Sequence, residues 1–331
     1  MGDEKKDSEI ISIVVPAYNS SRTIGSVIDA LGAQNLPAGK PEIIIVDDGS
    51  TDNTADIVKS YPAVKYVYQQ NVGPSAARNT GWKQAKGRIV CFTDSDCLPE
   101  KDWVSKILSH YTSGAIGGVG GSYDINNEKS ILAKLIHEEI AYRHSKMPRE
   151  VDYLGTFNVS YRRDILERIG GFDTAYKAAS GEDNDLAYKV KSLGYKLIFD
   201  KDIKVAHNYP ESLLKYLKQQ LVHGLWRVKL YLIHPRMIKG DCYSSLFDYA
   251  QPILALFTVV LSFFIIFQGV FKYIAGTVIL LFALQLPMPV LIALKKRSPE
   301  YLLLAALMFI RSYARGLGML CGSILFTFRR K

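Results

Sequence analysis

Short apolar runs alternate with helically spaced segments over the first hundred residues. Residues 10–15 are an unbroken apolar run apart from one serine and read as a buried strand, closed by Pro16-Ala17-Tyr18-Asn19. Residues 23–31 carry apolar side chains at helical spacing, with Ser20 or Ser21 as the expected N-cap. The pattern then repeats: a strand at 42–46 ending in Asp47-Asp48-Gly49-Ser50, a short helix at 52–59, a strand at 64–68, a helix at 75–86 and a strand at 88–92. Strands separated by helices of this length predict an α/β domain, a mostly parallel sheet with helices on both faces. Ligands of such sheets bind outside the carboxyl ends of the strands. The polar clusters at 18–19, 47–48, 71–78 and 94–96 all fall at such ends and are expected to share one crevice.

Residues 117–210 are less regular. Their distinctive runs are Gly170-Gly171-Phe172-Asp173 and Gly181-Glu182-Asp183-Asn184-Asp185, the latter opening a helical pattern at 186–193. Acids at a helix start complement its dipole, and capping accounts for one or two of the three. It does not account for Gly181, a residue that lets backbone approach a ligand. No internal repeat stands out.

The pattern changes again near 249. An uncharged apolar stretch runs from 249 to 270 and a second from 273 to 294, each near the ~20 residues that a bilayer-crossing helix needs. Both are expected to span. A third stretch, 301–326, contains Arg311 and Arg315 one turn apart, and a central arginine costs ~2.5–3.5 kcal/mol on insertion scales. It is either a third span or a re-entrant or interfacial segment. Charge bias between Lys295-Lys296-Arg297 and Arg329-Arg330-Lys331 favours the latter, which puts both clusters on the cytoplasmic side. The expected organisation is a charged tail (1–9), a cytosolic catalytic domain (10–240, divided at 116) and a membrane domain (241–331).

Charge and cysteine content refine this. The net charge of +9 fits work against an anionic membrane surface, with Arg227, Lys229, Arg236 and Lys239 just ahead of the first apolar stretch; it does not call for nucleic acid. The N-terminus has no signal-like apolar core, so the soluble part is expected in the cytosol. Cys91, Cys97, Cys242 and Cys321 lack metal-ligand spacing and read as free thiols.

Candidate chemistry centres on Thr93-Asp94-Ser95-Asp96, which follows a buried strand. Two carboxylates one residue apart suit either a solvated acidic turn or a hard divalent cation shared with a substrate phosphate.

The order of five motifs carries a resemblance: Val15-Pro16-Ala17-Tyr18-Asn19; Val46-Asp47-Asp48-Gly49-Ser50-Thr51-Asp52; Asn71-Val72-Gly73 with Ala76-Ala77-Arg78-Asn79; Thr93-Asp94-Ser95-Asp96; and Gly181-Glu182-Asp183. Over roughly residues 10–231 the chain resembles the family 2 inverting glycosyltransferases of GT-A fold, a Rossmann-like mixed, mostly parallel sheet. Transmembrane helices would follow it here. The resemblance implies a nucleotide-diphosphate sugar donor, UDP- or GDP-linked. Pro16, Ala17, Tyr18 and Asn19 would line the base and ribose, Asp48 or Asp47 would bind the base, Gly73 would admit the loop, and Arg78 would reach the base or diphosphate. Asp94 and Asp96, flanking Ser95, match the family's pair for Mg²⁺ or Mn²⁺; His207 stands where related GT-A enzymes sometimes place a third ligand, a structural histidine being the alternative. Asp183 matches the catalytic base, supported by Glu182, and Asn158 the acceptor-side loop.

Polymer-extruding members carry Gln-x-x-Arg-Trp near the membrane. Here Trp226 and Arg227 come later and in reversed order, which argues against such a synthase; they are expected to contact the acceptor, with an anchor at the bilayer interface as the alternative for Trp226. A base favours a hydroxyl acceptor, on a lipid or lipid-linked saccharide. The alternatives are a polyprenyl-phosphate glycosyltransferase, whose acceptor is already ionised, and a membrane nucleotide-sugar sensor without turnover.

Overall fold

The computed structural model describes residues 11–36, 39–178, 180–244 and 246–328. In chain order the elements are β1 (Ile11–Ala17), α1 (Ile24–Gly32), β2 (Glu42–Asp48), α2 (Thr54–Lys59), β3 (Val64–Gln69), α3 (Pro74–Lys83), β4 (Ile89–Thr93), β5 (Cys97–Pro99) and α4 (Trp103–Ser109). Then come β6 (Ile116–Ile125), α5 (Ile131–His144), β7 (Glu150–Val151), β8 (Asn158–Arg162), α6 (Arg163–Ile169), α7 (Glu182–Ser192) and β9 (Lys196–His207). The remainder is helical: α8 (Leu213–Ile233), α9 (Leu246–Ser262), α10 (Val270–Ala283), α11 (Pro287–Lys296) and α12 (Leu303–Phe328).

Two compact units result. The first comprises 11–126 and 147–208, the second 127–146 and 209–328. The division differs from the boundary expected at 240, because α5 and α8 pack with the C-terminal helices.

In the first unit, strands are ordered β3-β2-β1-β4-β8-β6-β9-β5, with β7 paired to β9. β1 to β4 are parallel, β8 runs antiparallel between β4 and β6, and β6 pairs parallel with β9. The near-continuous apolar sequence of β1 follows from burial on both faces. Ile13, Val15, Ile24, Leu31, Ile45 and Trp103 form the heart of the core. The chain departs in opposite directions on the two sides of β1, to β2 and to β4, which is where such sheets open a crevice. Pro16 sits beyond the last β1–β4 pair, Val14 with Phe92. Pairing toward β4 has ended there, so a residue with no N–H costs that ladder nothing.

Local expectations were met with two differences. Neither Ser20 nor Ser21 caps α1 through its side chain; Thr23 occupies the N-cap position, and the Ser20 hydroxyl instead bonds the Tyr18 carbonyl and Ser95. Helix α7 begins at Glu182, earlier than the apolar pattern indicates, with Gly181 (φ +94°) at its N-cap. The acids of this run therefore occupy the first turn and do not cap it.

In the second unit, the first expected span is helical only to Ser262, and the second is divided between α10 and α11, the break falling before Pro287. Among the described residues, the stretches long and apolar enough to cross a membrane are Val270–Lys296 and Pro299–Phe326. The arginines of the third stretch meet partners inside this unit. Arg311 donates to Glu139 Oε2 at 2.5 Å and to the Tyr216 hydroxyl at 3.2 Å. Arg315 Nε donates to Gln220 Oε1 at 2.7 Å. Arg143 joins Glu139 to Asp248, donating to both Asp248 oxygens at 3.0 and 2.7 Å. Burial raises the Glu139 pKa, but the charges of Arg311 and Arg143 outweigh it and bring it to about 2. Cys91, Cys97, Cys242 and Cys321 are not in disulfides among the described residues.

Candidate functional site

The loops after β1, β2 and β4 are laced together in the first unit. Asn19 adopts φ +49°, a left-handed conformation that asparagine tolerates better than most residues. Its backbone N–H donates to Ser50 Oγ at 2.9 Å, and its Oδ1 accepts from the Thr51 N–H at 2.8 Å. Ser20 bonds the Thr54 hydroxyl through its N–H, at 2.8 Å, and Ser95 through its own hydroxyl, at 2.7 Å. Tyr18 projects beside this junction, half exposed, while Pro16 is half-buried and Ala17 is buried.

Both aspartates at the end of β2 are buried and organise loops. Asp47 accepts from the Ser50 N–H (2.8 Å) and the Tyr66 hydroxyl (2.7 Å). Asp48 accepts from Gln69 Nε2 (2.6 Å) and from the N–H groups of Val72 (3.1 Å) and Gly73 (2.9 Å). A carboxylate has about four acceptor positions, so Asp48 retains roughly one and Asp47 roughly two. Gly73 takes φ +104°, and a Cβ there would meet the Lys177 carbonyl oxygen at 3.3 Å.

Arg78, expected to reach the base or the diphosphate, is held by acidic partners. It is almost fully buried on α3 and bridges two acids, Nη2 to Asp94 Oδ1 at 2.8 Å and Nη1 to Glu182 Oε1 at 3.1 Å. One fork therefore joins the turn after β4 to the first residue of α7. Its Nε and the second Glu182 oxygen are buried without partners among the described residues. A single positive charge faces Asp94, Glu182 and Asp183 and cannot neutralise all three. Burial, then the charge of Asp183, push Glu182 up to about 8 against the lowering effect of Arg78. Asp94, partly exposed, is the other partner of Arg78; burial favours the neutral form of Glu182, whose Oε1 accepts from Arg78.

Asp183, the next residue, has its Oδ2 held by the Tyr153 hydroxyl at 3.2 Å and its Oδ1 by the Asn184 N–H at 2.8 Å. On the other side of Asp94, the β5–β9 register pairs Cys97 with His207. That register puts His207 Nε2 3.5 Å from Asp96 Oδ2. The ligand atoms of Asp96, Cys97 and His207 lie within 4.8 Å of one another. Burial holds the Cys97 thiol well above its ordinary pKa, leaving a carboxylate and an imidazole as the effective donors. A divalent cation that accepts mixed oxygen and nitrogen ligands fits this pair, with open positions for phosphate oxygens.

Asn158 is fully buried and not on an acceptor-facing surface. Its Oδ1 accepts from Trp103 Nε1, and its Nδ2 donates to the carbonyls of Ser122 and Ile203. Its role is to tie β8 to β6 and β9. Trp226 and Arg227 lie on α8 in the second unit, where the Trp226 ring packs 5.4 Å from that of Phe326. Sequence reasoning missed Tyr153, Tyr66 and Gln69. None stands in a recognisable motif, and each acquires its role only when separate strands and loops come together.

Comparison with known proteins bears on the family and the fold. The family model described as Glycosyl transferase family 2 matches residues 12–170. Glycosyltransferase AglE of Haloferax volcanii is 26% identical over 231 residues, 67% of this chain and 74% of the relative. The probable glycosyltransferase YdaM of Bacillus subtilis is 31% identical over 214 residues, 60% of this chain; the chain spans half the length of that relative. Among solved structures, mannosyltransferase PcManGT from Pyrobaculum calidifontis, in complex with GDP-Man and Mn²⁺, superimposes with a TM-score of 0.54 at 21% identity, covering 98% of this chain and 80% of that one. S. aureus TarS 1-349 gives 0.51 at 20% identity, covering 97% and 91%. The shared architecture is the GT-A fold.

Proposed function

We propose that this chain, a glycosyltransferase whose residues 12–170 form a family 2 domain, moves a sugar with inversion from a nucleoside diphosphate sugar to a hydroxyl of a lipid or lipid-linked glycan. The reaction would occur at the cytosolic membrane face. The observation that carries this reading is Arg78, which joins the Asp94-Ser95-Asp96 turn to the Glu182-Asp183 pair. Acids that would serve the leaving group and the acceptor are thereby held in one site.

In this reading Asp183 takes the acceptor proton as the hydroxyl oxygen bonds to the anomeric carbon. The bond from that carbon to the diphosphate breaks, and its electron pair leaves on the diphosphate. Tyr153 fixes one Asp183 oxygen through its hydroxyl, leaving the carboxylate oriented. Glu182 supplies a mostly neutral neighbour, so Asp183 does not share its site with a second full negative charge. Tyr18, half exposed, offers a ring face to the base, and Asp47 and Asp48 retain acceptor capacity beside it. Asp96 and His207, with Asp94 nearby, would hold Mg²⁺ or Mn²⁺. When bound, the ion would supply Lewis-acid stabilisation of the departing diphosphate.

A hydroxyl acceptor is supported by the base itself; a polyprenyl phosphate is already ionised and would leave Asp183 idle. A membrane acceptor is supported by two apolar helical stretches and by the exposed apolar surface around them.

The test replaces Asp183 by Asn in the full chain. Transfer to lipid-linked acceptors should fall by ~10²–10⁴. Thermal stabilisation by nucleotide sugar with Mn²⁺ should persist. Transfer at the wild-type rate would remove the base assignment.

A further inference from the structure

The third apolar stretch is long enough to cross a bilayer, but its packing within the second unit opposes crossing. Helix α12 lies along α8 with both chains running in the same direction. Arg311 meets Tyr216, Arg315 meets Gln220, and Phe326 meets Trp226, so contacts advance together along both helices. The approach is close because of glycine. A Cβ at Gly318 would lie 2.0 Å from the Leu221 carbonyl oxygen, and one at Gly322 2.4 Å from that of Leu225. This Gly318-x-x-x-Gly322 spacing is the pattern of helices in backbone contact. Whatever path α12 takes, α8 must share it.

Helix α8 is not a membrane-crossing helix. It carries Lys215, Lys218, Arg227 and Lys229, with Lys215 and Lys218 exposed. Cations in the hydrocarbon core are strongly disfavoured. The face of α12 turned to α8 also carries Arg311, whose partner Glu139 lies on α5. The same α5 binds Lys296, at the end of α11, through Glu138 at 2.5 Å, and Asp248, at the start of α9, through Arg143. The polar ends of the α9–α11 hairpin and the first half of α12 are thus tied to one helix.

Away from that face, α12 exposes an apolar stripe. Leu303, Ile310, Leu317 and Ile324 recur every seven residues and are 41–56% exposed. On a helix this stripe is centred about 120° round the axis from Arg311, Arg315, Gly318 and Gly322. A helix with one apolar face and one charged, protein-bound face is suited to lying in a membrane interface. The hairpin differs: its tip, Phe263-Phe264-Ile265-Ile266-Phe267, is uncharged and every residue is at least half exposed.

We propose that α8 and α12 lie as a parallel pair in the plane of one interface of a lipid bilayer, that the α9–α11 hairpin alone enters the hydrocarbon, and that the end of α12 stays on the hairpin's entry side. The proposal rests on the membrane reading above, and the test separates the two. A depth-sensitive fluorophore would be attached at Phe264→Cys, Leu303→Cys, Leu317→Cys or Ile324→Cys in the full chain with Cys242 and Cys321 replaced by alanine. The protein would be reconstituted in phosphatidylcholine–phosphatidylglycerol vesicles with bromines at defined acyl depths. Deep quenching at 264, with shallow and similar quenching at 303, 317 and 324, is expected. If α12 crosses, depth must instead change progressively over ~30 Å between 303 and 324. That result, with 264 deep, overturns this proposal alone. No quenching at any position overturns the membrane reading as well. A reporter fused after Lys331 should read from the hairpin's entry side; the opposite side overturns the proposal without any substitution in α12.

Discussion

Replacing Glu182 by glutamine separates the charge of that side chain from its shape. The carboxyl is fully buried at the start of α7, with one oxygen accepting from Arg78 and the other without a partner. Its pKa rises from 4.5 to about 8, chiefly through burial and then through Asp183. Between these values the folded protein keeps a proton that the unfolded chain has released. Stability must therefore fall as pH rises through this window. At ~1.36 kcal/mol per pH unit, wild type should lose on the order of 3 kcal/mol between pH 6 and pH 9 from this group alone. Glutamine cannot ionise, and its amide can keep the Arg78 contact. Glu182→Gln should match wild type at pH 6 and exceed it at pH 9. For a unit of this size the gap should be about 5–10 °C in melting temperature. Fluorescence of Trp82 and Trp103, both buried in the first unit, reads the transition once Trp226 is changed to Phe. If the two proteins lose stability in parallel from pH 6 to 9, Glu182 is ionised throughout. Arg78 would then pair with two anions, and the neutral-acid assignment would be refuted.

Arg78→Met should destabilise the first unit by ~1.5–3 kcal/mol or more, since it removes the charge-assisted hydrogen bonds to Asp94 and Glu182; Arg78→Lys should recover only part, because an ammonium cannot span both acids as a planar fork. Thermal unfolding reads both, and a wild-type melting temperature for Arg78→Met would contradict the bridge. Tyr153→Phe should lower turnover roughly 10-fold or more at unchanged donor KM, because a hydrogen bond to a charged group contributes ~1.5–3 kcal/mol. A change confined to KM would place Tyr153 in binding instead. Gly318→Ala should cost at least ~1–3 kcal/mol by forcing α8 and α12 apart; unchanged stability of the detergent-solubilised chain would mean the helices do not touch there.

The alternation of strands and helices was legible because each period is local. β1, β2 and β4 are largely apolar since both faces are covered, and the chain itself carries that pattern. The polar residues at the strand ends were legible for a related reason: parallel topology sends every β-to-α loop to the same edge of the sheet. Asp94 and Asp96 could thus be singled out, while Asp183 and His207 were tied to them by a resemblance. Helix ends were less legible. Ser20 has the chemistry of a cap, but its hydroxyl serves Ser95, seventy-five positions away.

Sequence alone determined the α/β class, the motif order and the apolar C-terminal region, all properties of neighbouring residues. Tertiary structure decided how the polar side chains are used. Arg78, tied by resemblance to the base or diphosphate, forms an internal bridge; Asn158, tied to the acceptor-side loop, is buried with bonds to Trp103 and two carbonyls. Arg311 and Arg315 looked like a cost within an apolar segment and instead meet Glu139, Tyr216 and Gln220. The physical reason is the same in each case. A charge or hydrogen-bonding group is defined by its partner, and these partners lie 16 to 172 positions away in the chain.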